Sequence, residues 1–171
     1  MKTVGLFYGS STCYTEMTAE KILAQASFDV EIHNLADVAI EQCLAYDFII
    51  FGIPTWDYGE LQEDWENQWE ALSGLDFSGK TVAIYGQGDQ YGYPEWFLDA
   101  VGYLHDVVKL NGGRMIGYTD NIGYEFETSQ ALSDDETQFL GLALDDENQF
   151  EQSEERLSAW LAQIEREFNE S

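Results

Sequence analysis

The chain has 171 residues, enough for one sizeable core and too few for two. Seven Lys and Arg against 33 Asp and Glu leave a formal charge of −26, which argues against non-specific nucleic-acid binding and an anionic membrane surface. With 44% apolar and 15% aromatic residues the chain is built to fold, and a basic protein is the natural complement of its field.

The start, MKTVGLFYGSS, has no long apolar signal segment, and no stretch approaches a membrane span. Residues 3–8 read as a buried strand running into Gly9-Ser10-Ser11-Thr12. A helix is expected from Thr15 to Ala26, with Met17, Ile22 and Leu23 on one broad face. Residues 30–35 suggest a short strand and 38–44 a weak helix whose apolar face takes Cys43. The run Asp47–Gly52 is a core strand that Pro54 should stop. Helical character returns at 62–72, where Trp65, Trp69 and Leu72 align, and Thr81 to Tyr85 is another core strand. A glycine-rich loop, 86–95, leads to an amphipathic helix over 96–110 that carries His105 on its polar face. Arg114 to Tyr118 is strand-like, as is the apolar run 139–144, and residues 153–168 form a closing helix that Ser153 could cap.

Strand and helix alternate five times, which predicts one parallel sheet covered on both faces. The polar stretch 119–138 breaks that rhythm. It is expected to be an insertion splitting the last strand within a single domain spanning 1–171, because some twenty residues cannot form their own core.

Three loops follow apolar strands, at 9–15, 53–60 and 86–95, and a doubly wound sheet brings such loops together at its carboxyl edge. The first offers the hydroxyls of Ser10, Ser11, Thr12 and Thr15 beside the free N–H groups of a helix start, which can hold a phosphate without a lysine. No Walker A loop or GxGxxG is present. The second and third loops place Trp56 and a tyrosine where they could stack on a flat heteroaromatic ring. No metal-ligand pattern emerges: D-x-[DN]-x-[DN]-G is absent, including from Asp145-Asp146-Glu147-Asn148. With two cysteines and no CxxC, a reducing, cytoplasmic location is expected.

The residues Val4–Ser10, GIPTWDYGELQEDW (52–65), GQGDQYGYPEWFLDA (86–100), GYEF (123–126) and GLALDDENQ (141–149) give the chain a specific resemblance. Over nearly its whole length it resembles the flavodoxins, particularly the long-chain proteobacterial group. The resemblance implies a flavodoxin-like, doubly wound three-layer α/β sandwich with a five-stranded parallel sheet, and non-covalently bound FMN. Matched position by position, Ser10, Ser11, Thr12 and Thr15 would bind the 5′-phosphate with the amides of Cys13 and Tyr14. The family's usual loop has glycine at the Cys13 position and commonly asparagine at the Tyr14 position. Pro54 and Thr55 would lie toward the ribityl–phosphate end, with Trp56 on one ring face. Tyr93 would cover the other; Tyr91 competes for that role, but the GDQ-x-GY pattern favours Tyr93. Gly88, Asp89 and Gln90 would meet the ring edge largely through backbone groups, and Asp57, Tyr58 and Gly59 would form the flexible turn beside flavin N5.

The implied function is low-potential electron transfer rather than substrate turnover, by a monomer serving a basic NADPH-dependent flavodoxin or ferredoxin reductase and downstream redox enzymes. An FMN-dependent NAD(P)H quinone or nitro-compound reductase is the alternative, but neither a nicotinamide fingerprint nor an acid/base pair supports it: His33 and His105 lie far apart in sequence. A third reading, a protein of this fold that has lost FMN and acts by binding alone, conflicts with the retained aromatics and hydroxyls.

Overall fold

The apolar runs of the sequence become parallel strands in the computed structural model, which describes residues 1–170. In chain order the elements are β1 (Val4–Tyr8), α1 (Tyr14–Gln25), β2 (Val30–Asn34), a 3-10 helix (Ile40–Ala45), β3 (Phe48–Trp56), β4 (Glu60–Leu61) and α2 (Glu63–Ser73). They continue with β5 (Thr81–Gln87), α3 (Asp99–Leu110), β6 (Arg114–Ile116), β7 (Thr119–Asp120), β8 (Gln138–Phe139), β9 (Leu142–Leu144) and α4 (Phe150–Asn169). The main sheet has the order β2-β1-β3-β5-β6, with every neighbouring pair parallel. Its fifth position is split, because β6 pairs with Thr81–Ala83 and β9 pairs with Tyr85–Gln87 farther along the same strand.

The two-residue period of the strands sorts their side chains into two cores. Phe7, Ile49, Phe51, Val82 and Ile84 face α3 and Trp65 of α2. Val4, Leu6, Ile50, Ala83 and Tyr85 face α1 and α4, where Leu157, Trp160, Leu161 and Ile164 form the stripe expected for the closing helix.

Several local expectations are corrected. Pro54 does not stop its strand: β3 runs on to Trp56. Pairing with β1 ends at Gly52, so β3 has a free edge at Pro54 and tolerates a residue without an N–H. In α1 the buried stripe is Thr15, Thr18, Ala19 and Ile22, whereas Met17 and Leu23 are exposed. The spacing is helical, but small residues fill it because α1 lies close to the sheet. Ser153 caps nothing: α4 starts about a turn earlier, and the buried Ser153 hydroxyl donates to Asp146 in the turn that precedes the helix.

The excursion leaves the sheet at Gly117, whose φ is 83°, and Thr119 Oγ1 ties its base shut by donating to the Gly141 carbonyl at 2.7 Å. Within it β7 and β8 pair antiparallel, and Phe139 packs edge-on against Phe97 and Tyr124 in the main core. This cover corrects the placement of His105, which is only 3% exposed. Its Nε2 lies 2.5 Å from the Tyr118 hydroxyl and its Nδ1 3.1 Å from Asp106, while burial pushes the imidazole pKa below its ordinary value.

Gly102 sits where α3 meets the excursion, and a Cβ there would stand 2.1 Å from the Gln130 carbonyl oxygen. Alanine in a helix interior normally gains about 1 kcal/mol over glycine, but backbone facing backbone cannot yield. Gly102→Ala is therefore expected to lower unfolding free energy by about 2 kcal/mol, read as a reduced urea midpoint. An unchanged or higher midpoint would show that the excursion is not seated on α3.

Candidate functional site

The β1–α1, β3–β4 and β5–α3 loops meet at the carboxyl edge around a cavity of about 440 Å³. Its lining comprises Thr12, Tyr14, Pro54, Thr55, Trp56, Asp57, Gln87, Gly88, Asp89, Tyr93 and Glu147. Both the size and the mixture of aromatic walls with a few polar groups suit a cofactor-sized ligand.

One end is made by the first loop. Cys13 precedes α1 with φ 72°, the left-handed conformation that glycine adopts without strain, and its side chain caps nothing. No described protein group accepts the N–H groups of Ser11 through Thr15, so they and the positive end of the helix dipole remain available to an anion. Ser10 Oγ is buried without a hydrogen-bond partner. Ser11 Oγ accepts from Gln62 Nε2 at 3.0 Å, which leaves its own proton free to donate. Ser11, Thr12 and Cys13 are exposed, whereas Thr15 is buried.

The other end carries the rings. Trp56 lies at the end of β3 and Tyr93 in the third loop, and both line the cavity. Asp57, at φ 41°, and Gly59, at φ 83°, shape the turn between them. Asp57, as hydrogen-bond acceptor and as charge, pushes the Tyr93 phenol pKa up. Tyr58 projects outward, 65% exposed, with its ring edge-on to Tyr93 and Trp96 at centroid distances of 6.0 and 5.0 Å. Thr55 Oγ1 accepts the Ala100 N–H at 3.0 Å, tying the end of β3 to α3.

Thus the structure gathers Thr12, Tyr14, Pro54, Thr55, Trp56, Asp57, Gly88, Asp89 and Tyr93 on one surface. Ser10, Ser11, Cys13 and Thr15 belong to the loop beneath it, and Tyr58 and Gly59 to the turn at its rim. Gln90 points elsewhere: it is fully buried, and its N–H and side-chain amide both donate to Asp145. Tyr91 is exposed and absent from the lining.

Sequence reasoning missed three contributors. Gln62 caps α2 by accepting the N–H groups of Asp64 and Trp65 while it supports Ser11. Gln87 closes the cavity floor, and Glu147 reaches its wall from beyond β9, where it accepts the Tyr14 hydroxyl at 2.8 Å. That acceptor raises the Tyr14 phenol pKa. An S/T/D/N search for caps passes over a glutamine, and nothing local links Glu147 to Tyr14 across 133 residues.

No lysine or arginine lines the cavity, although three acids do. Lys2 and Lys80 instead pair with Asp47 at the opposite, amino edge of the sheet. Among the described residues no group of three His, Cys, Asp or Glu could hold a metal, and no helix is long and apolar enough to cross a membrane.

The flavodoxin family profile matches residues 6–160. Flavodoxin 2 of Salmonella typhi is 54% identical over 162 residues, covering 94% of each chain. Flavodoxin 1 of Escherichia coli is 42% identical over 170 residues, covering 99% of this chain and 96% of its own. A crystal structure of Fusobacterium nucleatum flavodoxin bound to flavin mononucleotide superposes with a TM-score of 0.92 at 32% identity, covering 98% and 99% of the two chains.

The orphaned Ser10 hydroxyl generates a test that needs no ligand. A partnered buried hydroxyl costs about 1 kcal/mol to delete, whereas deleting an unpartnered one removes a desolvation penalty. Ser10→Ala should therefore leave the ligand-free chain as stable as before or up to about 1 kcal/mol more stable in urea unfolding. A loss of that size would reveal a partner for Ser10 within the protein.

Proposed function

This chain belongs to the flavodoxin family, and on that premise we propose how its cavity holds the cofactor. The protein is an electron carrier with non-covalently bound FMN and turns over no substrate of its own. What carries the residue assignment is one juxtaposition: a cation-free cradle of hydroxyls and N–H groups at one end of a cavity whose other end presents two aromatic rings. The buried, unpartnered Ser10 Oγ fits a phosphate oxygen as acceptor, and the residues present suit FMN.

In this reading Ser10, Ser11, Thr12 and Thr15, with the amides of Cys13 and Tyr14, hold the phosphate. Hydrogen-bond donors and the helix terminus do this work without a lysine. Trp56 and Tyr93 take the two faces of the ring, excluding water from it. Pro54 and Thr55 border the chain between ring and phosphate. Gly88 and Asp89 meet the ring's polar edge, while Gln90 supports that loop from behind. Asp57, Tyr58 and Gly59 provide the turn at the exposed edge. FMN supplies the chemistry by accepting and releasing electrons singly; the chain orients it and tunes its potentials.

Acids Asp57, Asp89 and Glu147 around the cavity add to the field of a chain carrying −26 charges. That field disfavours further negative charge on the cofactor and lowers the potential. It also attracts a basic redox enzyme, for which an NADPH-dependent flavodoxin or ferredoxin reductase has the right chemistry. Free Cys13 and Cys43 accord with a reducing, cytoplasmic location. The Cys43 thiol, pushed up to about 12 by burial, is inert packing rather than a redox group.

Anaerobic reductive titration followed by visible absorption tests the function. The expected result is a flavin spectrum reduced in two separable one-electron stages, with negligible NAD(P)H oxidation when no reductase is present. Rapid unaided NAD(P)H oxidation would make the protein a reductase instead. For the tuning, Glu147→Gln should raise the potential of the second electron by roughly 20 mV, about 0.4 kcal/mol for one charge at ~10 Å in water, and by less at high salt. A lower potential in the variant would contradict the field argument.

A further inference from the structure

Behind the third loop lies a buried carboxylate that the site as described does not use. Asp145 follows β9 and has no exposed surface. Its Oδ2 accepts from the Gln90 N–H at 3.1 Å, the Gln90 side-chain amide at 2.8 Å and the Asn148 side-chain amide at 3.0 Å. Its Oδ1 accepts from the Asn148 N–H at 3.0 Å and from the same Asn148 amide at 3.1 Å. All these partners are donors, the set that an acceptor-only carboxylate requires. No Lys or Arg pairs with it among the described residues.

A buried charge held only by amides is not an efficient way to stabilise a fold, since a well-packed apolar residue generally serves as well or better. What it provides is direction. The carboxylate grips Gln90 by both backbone and side chain. Through Asn148 it also reaches Asp89, whose Oδ1 accepts the Asn148 amide at 2.7 Å and which lines the cavity. The far side of Gln90 is fastened as well, its Oε1 accepting the Glu125 N–H of the excursion at 2.6 Å. The phosphate loop forms no hydrogen bond with Asp145, Gln90 or Asn148 among the described residues, and touches their turn only through the Tyr14 hydroxyl on the Glu147 side chain.

We propose that Asp145 is a positioning residue for the ring end of the cofactor site, fixing the backbone of Asp89 and Gln90 through Gln90 and Asn148. The inference rests on the FMN reading above. It makes the two ends of the site separable: Asp145 governs how the ring is received and leaves the phosphate cradle alone.

The test compares the affinities of the full-length, cofactor-free chain for FMN, for riboflavin, which lacks the phosphate, and for inorganic phosphate. Asp145→Asn replaces one acceptor oxygen by a donor that faces other donors. FMN and riboflavin should weaken by the same factor, roughly tenfold or more, while phosphate affinity stays within about twofold. Equal weakening of all three ligands would overturn the proposal in favour of general loosening, and unchanged riboflavin affinity would overturn it outright. If Asp145→Asn fails to fold, Asn148→Ala removes the bridge to Asp89, and the same selective loss of riboflavin affinity is required of it. A wild-type chain that bound neither FMN nor riboflavin would defeat the FMN reading together with this one. Wild-type binding with an indifferent Asp145→Asn would defeat this inference alone.

Discussion

Parallel pairing in register at the centre of the sheet is the constraint on which the rest depends. Tyr8 of β1 stands opposite Gly52 of β3, and Gly52 stands opposite Tyr85 of β5, so three strands deliver their loops at one edge. Gly52 is needed because a Cβ there would lie 2.3 Å from the Tyr85 ring and hydroxyl. The Tyr85 side chain occupies that space and donates its hydroxyl to the Thr15 carbonyl at 2.9 Å. The central strand thereby fixes the start of α1 and the loop before it. Burial raises the Tyr85 phenol well above its ordinary pKa, so this donor keeps its proton.

Charge is arranged with the same economy. A strongly acidic chain with the phosphate site proposed above could have placed one of its seven Lys and Arg there. Instead Lys2, Lys80 and Arg114 lie at the amino edge, where the first two meet Asp47 and the third donates to the carbonyls of Glu167 and Glu170 at the end of α4. Oriented N–H groups and hydroxyls attract a phosphate without adding positive charge near the ring. In the proposed FMN site Asp57, Asp89 and Glu147 then retain their effect on the potential.

The excursion after β6 is fastened to the site as well as to the core. Glu127 and Thr128 donate their N–H groups to the Pro94 carbonyl at 2.7 and 3.1 Å, and Gln130 donates to Asp99 Oδ1 at 2.8 Å. Asp99 in turn lies under the Gly59 turn, with a carboxyl pKa that burial raises. Such contacts stiffen the third loop and the beginning of α3 from outside.

The sequence by itself determined the architecture. Continuous apolar runs alternating with helical periods pointed to a parallel sheet covered on both faces, and the polar stretch before 139–144 exposed the split last strand. It also carried the family resemblance, in the long runs GIPTWDYGELQEDW and GQGDQYGYPEWFLDA that span the ends of β3 and β5 and the loops after them. Local pattern was less reliable for faces and ends. Small residues rather than Met17 and Leu23 bury α1, cover from the excursion turned a polar-looking His105 inward, and a one-sided edge carried β3 through Pro54. Only the tertiary structure decided the support around the site: Gln62 under Ser11, Glu147 against Tyr14 and Asp145 behind Gln90. The physical reason is distance along the chain. Each of these contacts joins residues 51 to 133 positions apart, so periodicity and spacing carry no trace of them until the sheet closes.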